Sequence, residues 1–545
     1  MRFRRLWPWL SLLLAVTFLN AGLTFHNIWP TLGIHWLGEL SVEIAALVLL
    51  LSVMHRLSGA TPRRRRLSVL AAAFVALALG RYADVTAPAL YGREVNLYWD
   101  VPNMGSVIAM LAKAATFWQI AAIVLGIAFA LTILFVAARG SLQCIDSAMD
   151  DTRVRRVFGI AGAALLVCFG VQQLDDALPR IPRFSIPVSE VYGVQLAKLA
   201  DTFTNSRALQ ELPASPRLQS QLAALNRDDV LLIFEESYGS TTYDRPEFRR
   251  ILAPVRARLE AAINDTGREV VSAFVTSPTF GGNSWFAHIS MLSGVEVRDP
   301  DRYALLMTQK RPTLASLFQG AGYRTIAVMP GLHEAWPEGR FYGFNQLYDV
   351  NRLDYRGPAF GWWRIPDQYS LAELSARELQ PEPRRPVFVF FPTVSTHMPF
   401  RPTPPVQTDW QRVLSANPYD AGPLRQALAE TPEWTHMGRS YVAAVAYFFD
   451  TVSTYLRARA DDNFVLVILG DHQPAANVSG EGASWDIPVH VIGRNRAVLD
   501  ALKRDGFTAG LYPGRAPLGR MSELTPIMVR AFEGASGERH SVTAR

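Results

Sequence analysis

Hydrophobic residues follow two different patterns along the chain, and the change falls near Gln172 to Asp176. Before this point, about five apolar runs of roughly 20 residues occur, the length that a helix needs to cross a bilayer core. The runs lie at Trp7 to Phe25, Trp36 to Met54, Leu67 to Val85, Phe117 to Ala138 and Val157 to Val171. We therefore predict a helical membrane anchor. The last run is the shortest, and a buried core helix is its alternative interpretation.

Beyond Asp228 the apolar runs are shorter and alternate with helical patterns. Short continuous runs of this kind are typical of strands that are buried on both faces of a parallel sheet. The strand-like runs are Val230 to Phe234, Gly322 to Pro330, Pro386 to Val394, Phe464 to Leu469 and Ile487 to Ile492. Helical patterns cover Leu314 to Ala321 and Tyr441 to Ala458. The pattern predicts an α/β domain with a mainly parallel sheet between helices on both faces.

The segment between the two patterns is rich in proline. Pro179, Pro182 and Pro187 interrupt helix formation, and Val188 to Leu225 then has the pattern of one or two amphipathic helices, broken at Pro213 and Pro216. We interpret this segment as a linker at the membrane surface. The predicted organisation is a membrane domain over residues 1–175 with about five transmembrane helices, a linker over 176–226, and an exported α/β domain over 227–545.

Basic residues cluster in alternate connections of the anchor, which assigns the two sides of the membrane. Cytoplasmic connections carry an excess of Lys and Arg. The clusters are Arg2, Arg4 and Arg5, then Arg63 to Arg66, then Arg153, Arg155 and Arg156. After an odd number of spans, everything beyond about Gln172 lies outside. We expect a multi-pass protein of the bacterial inner (cytoplasmic) membrane, with its α/β domain in the periplasm or outside.

Composition agrees with this interpretation. Among the 545 residues, 49% are hydrophobic and the mean hydropathy is +0.10, which is high for a wholly soluble protein. The net charge of +6 is accounted for by the topological clusters, and no nucleic-acid-binding motif accompanies it. The two cysteines, Cys144 and Cys168, both lie in the anchor, so the exported domain has neither a disulfide nor a cysteine nucleophile.

The predicted outer loop Tyr91 to Asp100 is dense in aromatic and polar residues. It is either an interfacial aromatic belt or a contact with a lipid headgroup or with the outer domain.

The stretch Thr276 to Gly294 contains the first candidate for chemistry. Gly281 and Gly282 allow a tight turn with positive φ, Asn283 tolerates one, and helical spacing begins at Ser284. Unsatisfied N–H groups at a helix start favour an anion and lower the cost of an alkoxide. Ser284 is therefore a candidate nucleophile that accepts a phosphoryl group. The alternative is that Ser284 is only a helix N-cap.

Polar clusters follow three of the predicted strands. Glu235 and Glu236 end the first strand, Ser395-Thr-His397 follows the strand Pro386 to Val394, and Gly470-Asp471-His472 follows Phe464 to Leu469. Gly470 is expected to permit a turn there. The carboxyl ends of parallel strands line a common crevice, and an adjacent carboxylate and imidazole form a natural half of a divalent-metal site. A structural histidine is the alternative for His472 taken alone.

These motifs, in this order, resemble the membrane-anchored sulfatase-like branch of the alkaline phosphatase superfamily. The nearest resemblance is to phosphoglycerol transferases of the lipoteichoic acid synthase type, with phosphoethanolamine transferases more distant. The resemblance implies a divalent metal, Mn or Zn with Mg possible, bound by Glu236, Ser284, Asp471 and His472. Glu236 is preferred to Glu235 because the family's ligand is the acid before a Ser or Thr, here Ser237. The family nucleophile is usually Thr, whereas this chain has Ser284.

The resemblance also implies substrate-binding residues. His397 matches the family's histidine in Ser-x-His-x-Pro-Phe, which contacts the phosphate or headgroup. His333, Trp336 and Arg340 resemble its His/Trp/Arg group, at a shifted spacing. His288 lies one helical turn from Ser284 and is expected to be a helix-packing histidine, with a site residue as the alternative.

The function implied is an enzyme that moves a phospholipid headgroup, phosphoglycerol before phosphoethanolamine, through a phosphoserine at Ser284 onto an envelope glycan or glycolipid. Its partners are then the membrane, the phospholipid donor and the glycan or glycolipid acceptor, and no nucleic acid. A formylglycine sulfatase is disfavoured, because the required Pro and Arg do not follow Ser284. A hydrolase of phosphoric or sulfuric esters and a non-catalytic lipid sensor remain as alternatives.

Overall fold

The computed structural model divides the chain into two compact units, Met1–Arg207 (unit 1) and Ala208–Arg545 (unit 2). The structure describes residues 3–57, 63–91, 95–96, 100–101, 104–105, 108, 116–174, 181–204, 212–333, 335–361, 363–433 and 436–534. Most of the loop Tyr91 to Asp100, whose role was left open above, lies outside the described residues.

Unit 1 is helical. Its elements are α1 (Phe3–Thr24), the hairpin strands β1 (Phe25–Asn27) and β2 (Ile34–Trp36), α2 (Val42–Leu57), α3 (Arg63–Tyr91), α4 (Phe117–Ala148), α5 (Thr152–Gln172) and α6 (Val188–Thr204). Each predicted span overlaps one of the first five helices. Among the described residues, three helices are long and apolar enough to cross a membrane: Arg64–Leu90, Phe117–Ala148 and Thr152–Gln172. The described apolar parts of α1 and α2, Trp9–Thr24 and Val42–His55, are shorter. Unit 1 therefore has the apolar helices of a membrane anchor, and the number of five crossings stays a prediction.

The predicted linker is helical only in its first part. Helix α6 ends at Thr204, whereas residues 212–222 have no helix and a single 3-10 turn covers Ala223–Leu225. The predicted break at Pro213 and Pro216 thus lies in non-helical chain, whereas the prediction that an amphipathic helix extends as far as Leu225 is wrong. Leu212, Leu218 and Leu225 are instead buried in the core of unit 2, where a chain interrupted by prolines packs in irregular form. The location of the linker at a membrane surface stays a prediction.

Unit 2 is an α/β domain, which confirms the predicted fold class. Its strands are β3 (Asp229–Glu235), β4 (Glu269–Thr276), β5 (Arg324–Val328), β6 (Gln346–Tyr348), β7 (Val387–Pro392), β8 (Phe464–Gly470), β9 (Asp486–Gly493) and β10 (Thr508–Ala509). Its helices are α7 (Thr241–Asp244), α8 (Pro246–Asp265), α9 (Ser284–Ser293), α10 (Pro300–Met307), α11 (Leu314–Gly320), α12 (Gly339–Tyr342), α13 (Asp367–Leu374), α14 (Trp410–Val413), α15 (Ala421–Leu428), α16 (Gly438–Ala458), α17 (Ala476–Ser479), α18 (Arg496–Arg504) and α19 (Met521–Glu533). A π-helical turn, Ser375–Leu379, extends α13.

The strands form one 8-stranded sheet in the order β10-β4-β9-β8-β3-β7-β5-β6. Pairs from β8 to β6 are parallel, whereas β9 and β10 run opposite to the other strands. The first strand of the unit, β3, lies between β8 and β7. The carboxyl ends of β3, β7 and β8 therefore meet at one edge of the sheet, where the sequence has its polar clusters.

Both faces of the sheet are buried under helices. Along β3, Val230, Leu232 and Phe234 belong to the core on one face, with side chains of α9, α11, α18 and α19. Leu231 and Ile233 belong to the core on the other face, with side chains of α8, α13 and α16. Successive side chains of a strand point to opposite faces, so a strand covered on both sides is apolar throughout.

Candidate active site

The turn between β4 and α9 has the conformation that its sequence predicts. Gly281, Gly282 and Asn283 have φ values of 66°, 145° and 60°, and α9 begins at the next residue, Ser284. The Gly281 N–H donates to Gln473 O at 3.1 Å, which ties the turn to the segment after β8. Three consecutive positive φ values require residues such as glycine and asparagine. The turn thus sets the position of Ser284 at the first residue of a helix.

The Ser284 hydroxyl lies beside an acid and an imidazole from two adjacent strands. Ser284 Oγ is 3.1 Å from Glu236 Oε2 and 3.2 Å from His472 Nε2. His472 Nε2 is in turn 3.4 Å from Glu236 Oε1 and 3.5 Å from Asp471 Oδ2. One side-chain atom from each of Glu236, Asp471 and His472 lies within 4.8 Å of the others. The structure therefore brings the four predicted residues together.

The orientation of His472 is set by a backbone hydrogen bond. Its Nδ1 lies 2.7 Å from Gln473 O. Because a carbonyl oxygen only accepts, Nδ1 carries a hydrogen, and Nε2 is the nitrogen directed at the two carboxylates and Ser284. This arrangement, a backbone carbonyl on one ring nitrogen and an open second nitrogen, is the usual one for a histidine that binds a metal.

The electrostatics of the cluster favour an added positive charge. Asp471 is fully buried, and burial together with the charge of Glu236 raises the pKa of Asp471 to about 8. Burial opposes the charging of His472, but Asp471 and Glu236 prevail and raise the pKa of His472 to about 9. Burial also opposes ionisation of Glu236, but His397 and His472 hold the pKa of Glu236 below its ordinary value.

These residues fit a divalent metal. The raised pKa values of Asp471 and His472 mean that these two groups retain protons beside the ionised Glu236, and among the described residues Asp471 Oδ2 is buried without a hydrogen-bond partner. Two carboxylates and a neutral imidazole are suitable ligands for Zn²⁺ or Mn²⁺, and a cation would replace the retained protons.

A second set of residues holds Glu236 and Asp471 in place. Ser237 has a φ of 58°, and its N–H donates to Asp471 Oδ1 at 2.8 Å while its Oγ donates to Glu236 Oε1 at 3.0 Å. The Tyr441 hydroxyl donates to Ser237 O at 2.9 Å, and the Glu236 N–H donates to Thr393 Oγ1 at 3.0 Å. Sequence reasoning missed Tyr441 and Thr393. Thr393 could have been found because it directly follows β7. Tyr441 could not, because the sequence around it has only the pattern of a core helix.

Gly470 has a different role from the predicted one. It is the last residue of β8 rather than part of a turn. A Cβ at this position would lie 1.8 Å from Tyr238 O, so glycine is needed because another backbone segment passes in contact with it. This close approach brings Asp471 against the Glu236–Ser237 segment.

Glu235 is hydrogen-bonded to the residue that follows β7. It is fully buried, and its Oε2 accepts a hydrogen bond from Thr393 Oγ1 at 3.4 Å. Burial and the charge of Asp367 raise the pKa of Glu235 well above its ordinary value. Among the described residues, the group of possible metal ligands contains Glu236 and not Glu235.

His397 belongs to the electrostatic environment of the cluster, since its charge is the largest influence that lowers the pKa of Glu236. Its Nδ1 lies 2.8 Å from Met398 O, which leaves Nε2 as the open ring nitrogen. The Trp363 ring packs against the imidazole at 4.4 Å between centroids, and Gly331 lies against the same ring. Trp363, which the sequence pattern did not identify, thus contacts both His397 and the segment that begins at Gly331.

The remaining predicted residues lie on that segment and on α9. His333 and Arg340 are exposed, and the Trp336 ring stacks on Tyr342 at 5.0 Å. Their roles in substrate binding stay predictions. His288 packs edge-on between Phe234 and Phe390, at 4.7 Å and 5.3 Å, and burial lowers the pKa of His288 to about 3. Its surroundings are those of a neutral packing histidine.

Comparison with known proteins identifies the domain type. Residues 287–501 match the sulfatase family model, a range that includes His397, Asp471 and His472 and starts just after Ser284. This match confirms the resemblance to sulfatase-like proteins over these residues. A comparison with curated proteins finds no match.

Several solved structures are similar to this chain. One is the lipooligosaccharide phosphoethanolamine transferase A (EptA) of Neisseria meningitidis, at 11% identity and a TM-score of 0.46, over 90% of this chain and 89% of that chain. Another is the lipoteichoic acid synthase LtaP of Listeria monocytogenes, at 15% identity and a TM-score of 0.38, over 63% and 79%. A third is the phosphoglycerol transferase GacH of Streptococcus pyogenes, at 12% identity and a TM-score of 0.34, over 58% and 83%.

Proposed function

We propose that this chain, which carries a sulfatase-like domain, is a metal-dependent phosphotransferase that moves a phospholipid headgroup onto an envelope glycan or glycolipid. Phosphoglycerol is the favoured headgroup, and phosphoethanolamine is the alternative. The observation that carries the proposal is the convergence of the Ser284 hydroxyl with Glu236, Asp471 and His472 at the start of α9. A serine in this position, next to a site suited to a divalent cation, is equipped for nucleophilic catalysis.

In the first step, Ser284 Oγ attacks the phosphorus of the donor. A divalent cation held by Glu236, Asp471 and His472 would supply positive charge that lowers the pKa of the Ser284 hydroxyl and offsets the charge of the phosphate. The Ser284 hydroxyl donates to Glu236 Oε2 at 3.1 Å, so this carboxylate can take up the proton as Oγ attacks. The bond from phosphorus to the diacylglycerol oxygen breaks, diacylglycerol takes up a proton and leaves, and a phosphoserine remains.

In the second step, an acceptor hydroxyl attacks the phosphoserine and regenerates Ser284. His397 and Arg340 hold the nonbridging oxygens while charge develops in both steps. The N–H groups at the start of α9 also favour this charge. The apolar helices of unit 1 keep the domain at the membrane, where the lipid donor is confined.

The test is the intact mass of the full chain after incubation with phosphatidylglycerol or phosphatidylethanolamine vesicles and Mn²⁺ or Zn²⁺. We expect a mass increase equal to one headgroup phosphate, and we expect Ser284→Ala to lack it. Turnover in Ser284→Ala should fall at least about a thousandfold, as when other catalytic nucleophiles are removed. Ser293→Ala, at the other end of α9, is the matched control and should form the adduct.

The same preparation distinguishes the alternatives. Metal content should be lost in Asp471→Asn and retained in Ser284→Ala, since Ser284 is only one of the proposed ligands. Release of free phosphate or sulfate without transfer would indicate a hydrolase. Absence of an adduct with either donor, together with absence of bound metal, would favour the non-catalytic lipid sensor and contradict the proposal.

A further inference from the structure

A buried aspartate lies next to the segment that presents His397. Asp367 is the first residue of α13 and is fully buried. Its Oδ1 accepts a hydrogen bond from the Val394 N–H at 2.8 Å, and its Oδ2 accepts one from the Ser395 N–H at 2.9 Å. Its own N–H donates to Ser395 Oγ at 3.3 Å. Both carboxylate oxygens therefore accept hydrogen bonds from the backbone of one short segment.

The two bonds satisfy a structural need that β7 creates. Strand β7 ends at Pro392, and the chain leaves the sheet through Thr393, whose N–H donates to Phe234 O at 2.9 Å. The next two N–H groups, those of Val394 and Ser395, no longer face a neighbouring strand. Buried N–H groups need acceptors, and a bond from an N–H to a carboxylate is stronger than one to a neutral group. Asp367 thus determines the path of the chain after β7.

That path leads directly to His397. The His397 N–H donates to Val394 O at 3.1 Å, so the backbone of His397 is bonded to the residue whose own N–H donates to Asp367. Its Nδ1–H donates to Met398 O, and Trp363 packs against the ring. The direction of Nε2 is therefore determined once the backbone at Val394 and Ser395 is fixed.

We propose that Asp367 is a positioning residue that directs His397 Nε2 toward the phosphoryl group in the active site. The proposal rests on the proposed function for the role of His397. Among the described residues, Asp367 is not in the group that could hold the metal. Asp367 consequently affects phosphate binding through His397 and leaves metal binding intact.

The test is the affinity of the metal-loaded full chain for inorganic phosphate, with Asp367→Asn as the variant. An amide has almost the same shape as the carboxylate but offers one acceptor oxygen, and its NH₂ group would face an N–H donor. We expect the dissociation constant for phosphate to rise about tenfold, the effect of losing one charge-assisted bond. Bound metal should stay at the wild-type amount.

Asp409→Asn is the matched control. Asp409 is an exposed aspartate whose Oδ1 also accepts two backbone bonds, from the N–H groups of Gln411 and Arg412. It caps α14 and, in the part of the chain that the structure describes, has no bond to Val394 or Ser395. This variant should bind phosphate as the wild type does, so an equal loss in both variants would show a general effect of removing a buried or capping carboxylate and would overturn the proposal.

A double variant separates positioning from a general loss of structure. If Asp367 acts through His397, then Asp367→Asn should weaken phosphate binding less than twofold in a His397→Gln background. The same tenfold loss in both backgrounds would overturn the proposal, and so would unchanged phosphate affinity in the single variant. If Asp367→Asn does not fold, Asp367→Glu, which shifts both oxygens by one methylene, is measured instead, and wild-type affinity there would also overturn it.

Phosphate binding requires no lipid donor, so the two proposals fail separately. A wild-type chain that binds phosphate but transfers no headgroup would contradict the proposed function and leave the role of Asp367 measurable. A metal-loaded wild-type chain that binds no phosphate would contradict both.

Discussion

At the scale of single residues, burial determines the protonation of His490. This residue of β9 is 1% exposed, with Nδ1 2.7 Å from Ser272 Oγ and Nε2 3.0 Å from the Tyr238 hydroxyl. Because Ser272 Oγ donates to Gly510 O, Nδ1 carries the hydrogen and Nε2 accepts. Burial, with a smaller effect of the Arg256 charge, lowers the pKa of His490 to about 3.

We expect His490 to make unit 2 less stable in acid. Between about pH 6.5 and pH 3 the unfolded chain binds a proton at this residue and the folded chain does not, so stability falls as the pH falls. The contribution is about 1.4 kcal/mol per pH unit. Urea unfolding of the full chain, followed by tryptophan fluorescence between pH 4 and pH 7, should show a smaller pH slope for His490→Gln. The exposed His436 provides the control variant, His436→Gln, and equal slopes in wild type and His490→Gln would contradict the expectation.

The residues that could be named from the sequence are those with a local signal. Glu236, Asp471 and His472 follow apolar strands, and Ser284 follows a glycine-rich turn, so each is recognisable within a few residues of its own position. The structure brings them together, and their chemical roles remain predictions. Tyr441 and Asp367 could not be found in this way. Tyr441 acts on Ser237, which is 204 residues away, and such contacts depend on the tertiary fold.

At the scale of elements, β8 is a strand that ends in a contact between two backbones. The absence of a side chain at Gly470 lets Tyr238 O approach, and the following residue, Asp471, accepts the Ser237 N–H. The end of β8 and the loop after β3 therefore have to move together.

Substitution of Gly470 by alanine should separate these two elements. Its Cβ would lie 1.8 Å from Tyr238 O, so the backbone must shift and carry Asp471 with it. Because metal ligands tolerate only a few tenths of an ångström, we expect affinity for Zn²⁺ or Mn²⁺ to fall at least about tenfold, measured by titration against a chelator. Gly493→Ala is the matched control: Gly493 ends the neighbouring strand β9, and its Cβ would lie 3.4 Å from the nearest atom. Equal losses in both variants would contradict the prediction.

The elements that the sequence predicted correctly are those with a long uniform pattern. β3, β5, β7, β8 and β9 appear where apolar runs predicted strands, and α11 and α16 appear where helices were expected. Among the described residues, three strands of unit 2 were missed, as was the short hairpin β1–β2 of unit 1. β6 and β10 have 3 and 2 residues, too few for a periodic signal, and β4 is interrupted by the buried Ser272. Ser272 is accommodated because Gly510 O and His490 satisfy it, which no local pattern reveals.

At the scale of the whole molecule, the chain combines a unit of apolar helices with an α/β unit. The basic clusters predict that Arg64 and the α/β unit lie on opposite sides of the membrane. The fold class of each unit was predictable, because hydrophobic patterns of roughly 20 and of 5 to 8 residues are distinct. The crossing number was not settled by pattern alone, since α1 and α2 have shorter apolar parts.

The predicted orientation can be tested by cysteine labelling. Cys144→Ser and Cys168→Ser remove both native cysteines, after which Arg64→Cys or Glu481→Cys introduces one at an exposed position. The labelling uses cells in which the reagent can reach the outer surface of the inner membrane. A membrane-impermeant maleimide should then label Glu481→Cys directly, and it should label Arg64→Cys only after the inner membrane is permeabilised. The reverse pattern would contradict the assigned orientation.

The central place of β3 in the sheet has a consequence for biosynthesis. This strand is the first of unit 2 to be made, yet its parallel neighbour β7 follows about 158 residues later. The Asp471 carboxylate, which accepts a hydrogen bond from the loop after β3, follows 234 residues after Ser237. The growing chain therefore cannot form the proposed metal site until β8 has left the ribosome and joined the sheet. Truncation before Asp471 would remove the proposed site entirely, so chains that end before this residue should not bind the cation.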